Sequence, residues 1–366
     1  MIRDYFHRWE NQLAAVSAHE RKVRPFEWGD DWIDQGSGIR DQGSASPGSP
    51  IPDPRALITD WVERVMQNSD AFFTPEPTRY TFTKAPETVR ASGEEGVLTF
   101  PSGFATPHEK NNTVTARYFP ANPIPGFRNR TKRLPRRAVV VLAQWNSDAD
   151  GHVGLCKLLS ALGIASLRIS LPYHDARMPP ELTRADFIVS SNVVRTLQVC
   201  RQAVRDVRLA LWWLRDQGYD RLGLLGTSLG SCLSYLTTCH EPLVRAQALN
   251  HVSPYFGDVV WRGLSTEHVR QGLEGNVDVD QLRDLWRPIS PWSFIDRLRD
   301  RKTLMVYARY DLTFPVDLSL KLIEELRKRG IPLEVAVLPC GHYSTGVAPF
   351  KYLDGWYLGK FLFTNL

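Results

Sequence analysis

The pattern of hydrophobic and polar positions along the chain changes character near residue 138. Before that point, residues 3–22 place Tyr5, Trp9, Leu13 and Val16 on one face at helical spacing. Three short alternating runs, broken by Pro and Gly, are typical of antiparallel edge strands and lie at 79–83, 96–100 and 113–119. The first third of the chain is therefore predicted to contribute helices and sheet-edge strands.

Beyond residue 138, short apolar runs alternate with helical stretches. This alternation indicates a parallel sheet that is buried on both faces by helices. The predicted strands cover 138–143, 164–169, 222–225, 246–250, 304–308 and 333–338. The predicted helices cover 153–162, 183–217 in two pieces, 231–240, 316–329 and 350–363. The fold class is thus α/β, with a mostly parallel central sheet flanked by helices.

The same pattern divides the chain into three parts. Residues 1–75 are predicted to form a helical N-terminal extension, interrupted by a Gly/Ser/Pro-rich loop at 35–52. Residues 76–254 and 301–366 form the main α/β domain. Between them, residues 255–300 contain aromatic residues, Arg and Asp at helical spacing and no convincing strand. We interpret this segment as a helical cap insertion; the rival interpretation is that its aromatic residues only pack it onto the main domain.

Composition narrows the class of protein. A chain of 366 residues with 43% hydrophobic residues can bury a large core. A net charge of +5 is too mild to indicate nucleic-acid binding. The five scattered cysteines are typical of reduced thiols, and no signal-peptide pattern is visible, so we expect a cytoplasmic protein. No apolar run approaches the ~20 residues that span a bilayer, so no integral membrane association is expected.

One stretch carries a specific chemical signal. The turn Gly226-Thr227-Ser228-Leu229-Gly230 is a G-x-S-x-G between a predicted strand and a predicted helix. In that context the pattern indicates a nucleophile elbow, in which a strained turn projects the serine hydroxyl into open space. The following helix directs its free N–H groups at the same spot, so the N–H of Leu229 is expected to hold a developing oxyanion.

A serine nucleophile needs a base, and the base needs an orienting acid. Asp311 follows one predicted strand and His342 follows the next. Because the carboxyl ends of parallel strands meet at one edge of the sheet, both residues are expected near Ser228. Asp317 is a nearby alternative acid, but the pattern places it inside a helix.

The order Ser228, Asp311, His342 resembles that of the α/β-hydrolase superfamily. Asp311-x-Thr313-x-Pro315, the Gly341-His342 pair and the turn Gln144-Trp145-Asn146 make the dienelactone-hydrolase and acetyl-xylan-esterase-like enzymes the most similar branch. By this resemblance, the N–H of Trp145 is the second oxyanion donor. Gln144 departs from the glycine that is common at its position. The resemblance covers about 60% of the chain and leaves residues 1–75 and 255–300 unexplained.

Other residues are candidates for the substrate pocket. His152 and His251 each follow a predicted strand-end turn. The full set of candidate pocket residues is Gln144, His251, Phe256, Trp261 and Tyr343. No Cys/His spacing typical of zinc and no dinucleotide-binding glycine motif is found, so no metal and no cofactor are predicted.

The expected function is hydrolysis of a small-molecule carboxylic ester through an acyl-enzyme intermediate. An acyl-CoA thioesterase or acyltransferase on the same fold is an alternative, in which the basic run 128–137 grips a CoA phosphate. A non-catalytic binding protein is a second alternative. The sequence leaves the oligomeric state undetermined, with a homodimer as one option.

Overall fold

A computed structural model describes residues 1–33, 53–122 and 135–366, and these residues form one nine-stranded sheet. The strands are β1 (Thr81–Lys84), β2 (Gly96–Pro101), β3 (Thr113–Phe119), β4 (Arg137–Leu142), β5 (Ala165–Ile169), β6 (Arg221–Thr227), β7 (Val244–Asn250), β8 (Lys302–Ala308) and β9 (Leu333–Leu338). Their spatial order is β1-β2-β3-β5-β4-β6-β7-β8-β9. Strands β1, β2, β3 and β5 pair antiparallel, whereas all pairs from β5 through β9 are parallel. The predicted mostly parallel sheet is confirmed.

Helices cover both faces of the sheet. They are α1 (Ile2–Ala15), α2 (Pro54–Gln67), α3 (Ser69–Phe73), α4 (Glu87–Arg90), α5 (Val153–Ala161), α6 (Val193–Asp216), α7 (Leu229–His240), α8 (Phe256–Arg262), α9 (Glu267–Leu273), α10 (Val279–Leu285), α11 (Val316–Lys328) and α12 (Phe350–Asn365). In β4, Val140 and Leu142 face the core that contains α6, α7 and α11, and Val139 and Val141 face the core that contains α5 and α12. Within the described ranges, no helix has both the length and the apolar character needed to cross a membrane.

The long helix α6 begins ten residues later than the sequence pattern predicts. Asn192 caps it, because its side-chain oxygen accepts the N–H of Arg195 at 2.9 Å. Residues 183–192 instead form turns and bends, which end in an isolated bridge between Asn192 and Glu27. The later start of α6 affects the site, because Arg184 and Ala185 contact the turn that contains Trp145.

The N-terminal helix α1 buries a different face from the one predicted. Tyr5 and Val16 are exposed, whereas Glu10 and Ala14 are buried. Phe6 stacks on Tyr310 with the ring centroids 4.6 Å apart. The prediction identified the wrong buried face because it followed the apolar residues. The most deeply buried side chain of α1 is instead the carboxylate of Glu10.

The segment 255–300 is helical, as predicted, and connects β7 to β8 through α8, α9, α10 and short 3₁₀ turns. Trp286 is fully buried, and its indole N–H donates to the Val193 carbonyl oxygen at 3.0 Å. Phe256 packs edge-on against Trp286 at 5.5 Å. These contacts fix the insertion onto the start of α6.

Two predicted features lie wholly or partly outside the described residues. These are the Gly/Ser/Pro-rich loop at 35–52 and residues 128–134 of the basic run. The last two arginines of that run are described and make structural contacts. Arg136 donates to the Gln217 carbonyl oxygen at 2.5 Å, and Arg137 donates to the Phe363 carbonyl oxygen at 3.1 Å.

Candidate active site

Ser228 occupies a strained turn between β6 and α7. Its φ of 58° and ψ of −119° lie in a region that non-glycine residues rarely adopt. A Cβ on Gly226 would lie 2.2 Å from the Gly230 carbonyl oxygen, and a Cβ on Gly230 would lie 2.3 Å from the Leu142 carbonyl oxygen. Both flanking positions therefore require glycine, and the turn has the backbone geometry of the predicted elbow.

Asp311 is buried just after β8 and is held by backbone donors. Its Oδ1 accepts the N–H groups of Thr313 and Phe314 at 2.8 and 2.7 Å. Its Oδ2 accepts Nδ1–H of His342 at 3.0 Å. Burial by itself raises the pKa of Asp311, but the charge and hydrogen bond of His342, together with the close approach of His251, outweigh burial, so the pKa falls below its usual range. Asp311 is therefore a carboxylate at neutral pH.

His342 is fixed on several sides. Its ring stacks parallel to Phe314 with the centroids 5.4 Å apart and meets Tyr343 edge-on at 5.8 Å. Burial disfavours the imidazolium, but the negative charge of Asp311 outweighs this effect, and the pKa of His342 is raised. Because Nδ1–H donates to Asp311, the lone pair of a neutral ring lies on Nε2, the atom a general base uses.

His251 lies in direct contact with Asp311 and His342, which the sequence does not indicate. Its Nδ1 is 2.9 Å from the same Oδ2 of Asp311, although the ring N–H is out of line for a good hydrogen bond. It follows β7 with a φ of 62°, and its ring centroid is 4.5 Å from that of His342. Burial and the neighbouring charge of His342 lower the pKa of His251, so it is neutral when His342 is protonated. Asp311 thus contacts two histidines.

The turn after β4 is held rigidly beside the elbow. The ring N–H of Trp145 donates to the Ala185 carbonyl oxygen at 2.9 Å, and the ring stacks on His268 at 5.8 Å. Asn146 donates its N–H to Nε2 of His174 at 2.9 Å. Among the described residues, the backbone N–H groups of Trp145 and Leu229 have no protein acceptor, which leaves both available to a ligand. The contacts of His174 and Ala185 with this turn have no sequence signal. Ala185 lies in the segment 183–217 that is predicted as helix, and His174 lies between that segment and the preceding predicted strand.

A cavity of about 970 Å³ opens onto these residues. It is lined by Ser228 and His342 and by four of the five candidate pocket residues, namely Gln144, His251, Phe256 and Tyr343. It is also lined by residues that the sequence did not indicate, from α5, α12 and the N-terminal segment, including Leu155, Leu158, Asp354, Trp356, Ser17, Glu20 and Arg21. The cavity therefore joins the elbow to three parts of the chain that have no recognisable motif.

Trp261 is the candidate pocket residue that the structure places elsewhere. In α8, Phe256, Val259 and Val260 line the cavity, at the i, i+3 and i+4 spacing of one helical face. Trp261 is five residues after Phe256, so it points away from that face and packs partly buried against the core. The prediction that Trp261 lines the pocket is therefore wrong.

His152 also lines the cavity, where its Nε2 lies 2.8 Å from Oγ1 of Thr227. Burial lowers the pKa of His152 to about 4. It is therefore neutral at physiological pH and serves as a hydrogen-bonding partner beside the elbow.

Within the described part of the chain, the group of side chains close enough to ligate a metal ion is His251, Asp311 and His342. These are the same atoms that form the contacts described above. The prediction that no metal is bound stays a prediction.

Comparison with known proteins identifies the fold that contains this site. No curated protein matches the chain in sequence. Residues 136–274 match the family described as alpha/beta hydrolase domain containing 18. This match covers the strands β4 to β7, the elbow and the first helices of the insertion.

Solved structures of low sequence identity share the architecture. The acetyl xylan esterase of Paenibacillus sp. R4 is 12% identical, with a TM-score of 0.59 over 86% of this chain and 95% of that chain. Acetyl xylan esterase 1 of Thermoanaerobacterium sp. JW/SL YS485 is 14% identical, with a TM-score of 0.57 over 85% and 95%. The acylaminoacyl peptidase of Pyrococcus horikoshii is 13% identical, with a TM-score of 0.53 over 87% of this chain and 44% of that chain. The chain therefore has the α/β-hydrolase fold, which these acetyl xylan esterases share, and residues 136–274 are similar to the family of the matching model.

Proposed function

We propose that the protein is a serine hydrolase that cleaves carboxylic esters through an acyl-enzyme intermediate. The observation that carries the proposal is the arrangement of three residues. Ser228 lies at a strained elbow on the cavity that His342 also lines, and Nδ1 of His342 is 3.0 Å from the Asp311 carboxylate. The similarity of the fold to two acetyl xylan esterases supports ester cleavage as the reaction class.

The chemistry follows from the roles of these groups. Oγ of Ser228 attacks the ester carbonyl carbon while Nε2 of His342 takes the hydroxyl proton. The N–H groups of Leu229 and Trp145 hold the oxyanion of the tetrahedral intermediate. As the intermediate collapses, the C–O bond to the alcohol breaks and His342 returns the proton to the leaving oxygen. Water then attacks the acyl-enzyme with His342 as base, which releases the acid and the free serine.

The raised pKa of His342 serves both halves of this cycle. Asp311 stabilises the imidazolium that forms when the serine proton moves. A base with a pKa closer to neutrality is also a stronger proton acceptor when it is neutral. The neutral His251 lies beside the same Asp311 oxygen without competing for the proton.

We further propose that the 255–300 segment acts as a cap over the site and that residues 1–75 form an extension that completes its rim. Phe256, Val259 and Val260 of α8 face the cavity, and Ser17 and Arg21 reach it from the N-terminal side. Apolar cap residues exclude water, which strengthens the electrostatic interactions around the oxyanion. All five cysteines are free thiols, which supports a reducing compartment such as the cytoplasm.

The thioester alternative receives no specific support from the described residues. Arg136 and Arg137, which belong to the basic run, already donate to backbone carbonyl oxygens. We therefore expect esters to be preferred over acyl-CoA.

The proposal is tested with a panel of p-nitrophenyl esters of increasing acyl length, run beside acyl-CoA and peptide substrates. Wild-type protein is expected to hydrolyse at least one ester, and Ser228→Ala to lose that activity. Ser253→Ala, which changes another serine on the same cavity, is the matched control and is expected to remain active. Ester turnover that persists in Ser228→Ala would refute the mechanism.

A further inference from the structure

The most deeply buried carboxylate near the proposed base comes from the far end of the sequence. Glu10 of α1 is fully buried. Its Oε2 accepts the N–H of Tyr343 at 2.7 Å, and its Oε1 accepts the N–H and the hydroxyl of Ser344 at 2.9 and 2.7 Å. All three donors belong to the loop that contains His342. A carboxylate of the N-terminal helix thus binds the two residues that follow the proposed base.

Gly341, the residue before His342, lies in close contact with the Glu10 side chain. A Cβ on Gly341 would lie 2.3 Å from Cδ of Glu10 and 2.6 Å from its Oε1. The backbone of Gly341 does not have a positive φ, so conformational freedom does not explain this glycine. The close approach of the Glu10 side chain explains why this position is a glycine. The N–H of Gly341 also donates to Oγ of Ser344 at 2.9 Å, so the loop closes around the carboxylate.

Glu10 is also part of the charge environment of His342. Among the described residues, the charged and titratable groups that face His342 are Asp311 after β8, His251 after β7, Glu10 of α1 and the adjacent Tyr343. Among the ion pairs of the described residues, Glu10 has no cationic partner, and its donors are neutral. Its negative charge is therefore not cancelled locally and favours the imidazolium over the neutral ring.

The N-terminal segment continues from α1 to the rim of the cavity. Arg21 donates to the Ala14 carbonyl oxygen at 2.8 Å and to the hydroxyl of Tyr343 at 3.3 Å. That hydroxyl lies 2.6 Å from Oγ of Ser265 in the insertion. Tyr343 therefore connects the base loop, the insertion and the N-terminal segment at one point.

We propose that Glu10 is a positioning residue for His342: it fixes the base loop through three hydrogen bonds and adds a second negative charge that stabilises the imidazolium formed during the reaction. The N-terminal helix is then a component of the active site as well as a packing element. This inference rests on the proposed function, because it assigns Glu10 a role only if His342 is the base.

The first test is Glu10→Gln, which keeps the shape and removes the charge. We expect kcat to fall by up to about 10²-fold with KM nearly unchanged, because a misplaced base weakens the transition state more than substrate binding. The acid limb of kcat/KM should move to lower pH, because loss of the negative charge lowers the pKa of His342. The position of this limb does not depend on how much of the variant folds.

The matched control is Asp4→Asn, which removes a carboxylate from the exposed face of the same helix. It should leave both kcat and the acid limb in place. An acid limb that stays at the wild-type pH in Glu10→Gln would overturn the charge role. If kcat were also unchanged, Glu10 would have no positioning role.

A second test uses the contact with Gly341. Gly341→Ala should lower kcat because its methyl group collides with Glu10. In the double variant Glu10→Ala, Gly341→Ala the collision is absent, so the two effects should be strongly non-additive. Additive effects would contradict the close approach. Absence of ester hydrolysis in the wild-type protein would instead refute the proposed function, so the two failures are distinguishable.

Discussion

At the scale of single residues, one carboxylate oxygen contacts both histidines of the candidate site. Oδ2 of Asp311 lies 3.0 Å from Nδ1 of His342 and 2.9 Å from Nδ1 of His251. Two histidines on one carboxylate oxygen cannot both be protonated at low cost, because like charges in a buried site repel each other strongly. Burial and the charge of His342 keep His251 neutral. We therefore propose that His342, and not His251, accepts the proton that Ser228 gives up in the reaction.

The three proposed triad residues should behave as one unit. We expect Ser228→Ala, His342→Ala and Asp311→Asn each to lower kcat by roughly 10³- to 10⁶-fold. The double variant Ser228→Ala, His342→Ala should be little worse than Ser228→Ala alone. Asp317→Asn is the control for the acid, because Asp317 is exposed and pairs with Arg262 at 2.8 Å. Loss of activity in Asp317→Asn together with a harmless Asp311→Asn would move the acid role to Asp317.

The pH dependence follows from the direction of the His342 pKa. A general base must be neutral, so activity falls as the pH drops through the pKa of His342. Because that pKa is raised by Asp311, the acid limb of kcat/KM should lie above the 6.5 of unperturbed histidine. Steady-state rates from pH 5 to pH 9 test this expectation. A profile that stays flat down to about pH 4 would require a carboxylate base and contradict the assignment.

Several of these residues were predictable from the sequence, for a definite reason. Ser228, Asp311 and His342 each follow a strand, so the chain order and the turn glycines indicate their place. His251, which contacts Asp311, has a left-handed φ of 62°. The pattern of hydrophobic and polar residues does not predict this backbone conformation. Glu10 was missed because a hydrophobicity pattern counts a carboxylate as exposed, whereas its three donors are more than 330 residues away.

At the scale of secondary-structure elements, the orientation of α8 determines which side chains of its sequence line the cavity. Its face with Phe256, Val259 and Val260 lines the cavity, and Trp261 lies off that face. The sequence predicted a helical insertion correctly because aromatic and charged residues recur at helical spacing. It assigned Trp261 wrongly because many positions of the helix are apolar, so spacing alone does not identify the inward face.

Phe256→Leu should therefore change the ranking of short against long acyl esters. A change of this size in an apolar pocket is worth about 1–3 kcal/mol, which is enough to alter selectivity. Trp261→Leu makes a comparable apolar reduction on the other side of the same helix and should keep the wild-type ranking. Relative kcat/KM values over the ester panel are the measurement. Equal rankings in all three proteins would mean that the insertion only packs onto the main domain.

At the scale of the whole molecule, we expect buried histidines to make the fold sensitive to acid. Burial lowers the pKa values of His152, His174, His240 and His268 to about 4 each. Between pH 4 and 6.5 the unfolded chain binds more protons than the folded chain, so stability rises with pH across this window. The stabilisation is complete above pH 6.5 and is lost as the pH falls towards 4.

The free energy of unfolding should therefore decrease between pH 7 and pH 5, on the order of 1–3 kcal/mol for each such histidine at most. Urea unfolding followed by far-UV circular dichroism at several pH values measures it. His240→Gln is a suitable probe, because His240 is distant from the elbow and bonds Leu236 and Ser69. This variant should show a shallower dependence on pH. Equal stability at pH 7 and pH 5 would contradict the neutral, buried state of these rings.

The proposed mechanism depends above all on Ser228 being the nucleophile that His342 activates. The most direct measurement is reaction with a fluorophosphonate, followed by mass spectrometry of the labelled peptides. We predict one adduct, on Ser228, which is absent in Ser228→Ala and forms much more slowly in His342→Ala. Wild-type protein that remains unlabelled, or a label that persists in Ser228→Ala, would rule out Ser228 as the nucleophile.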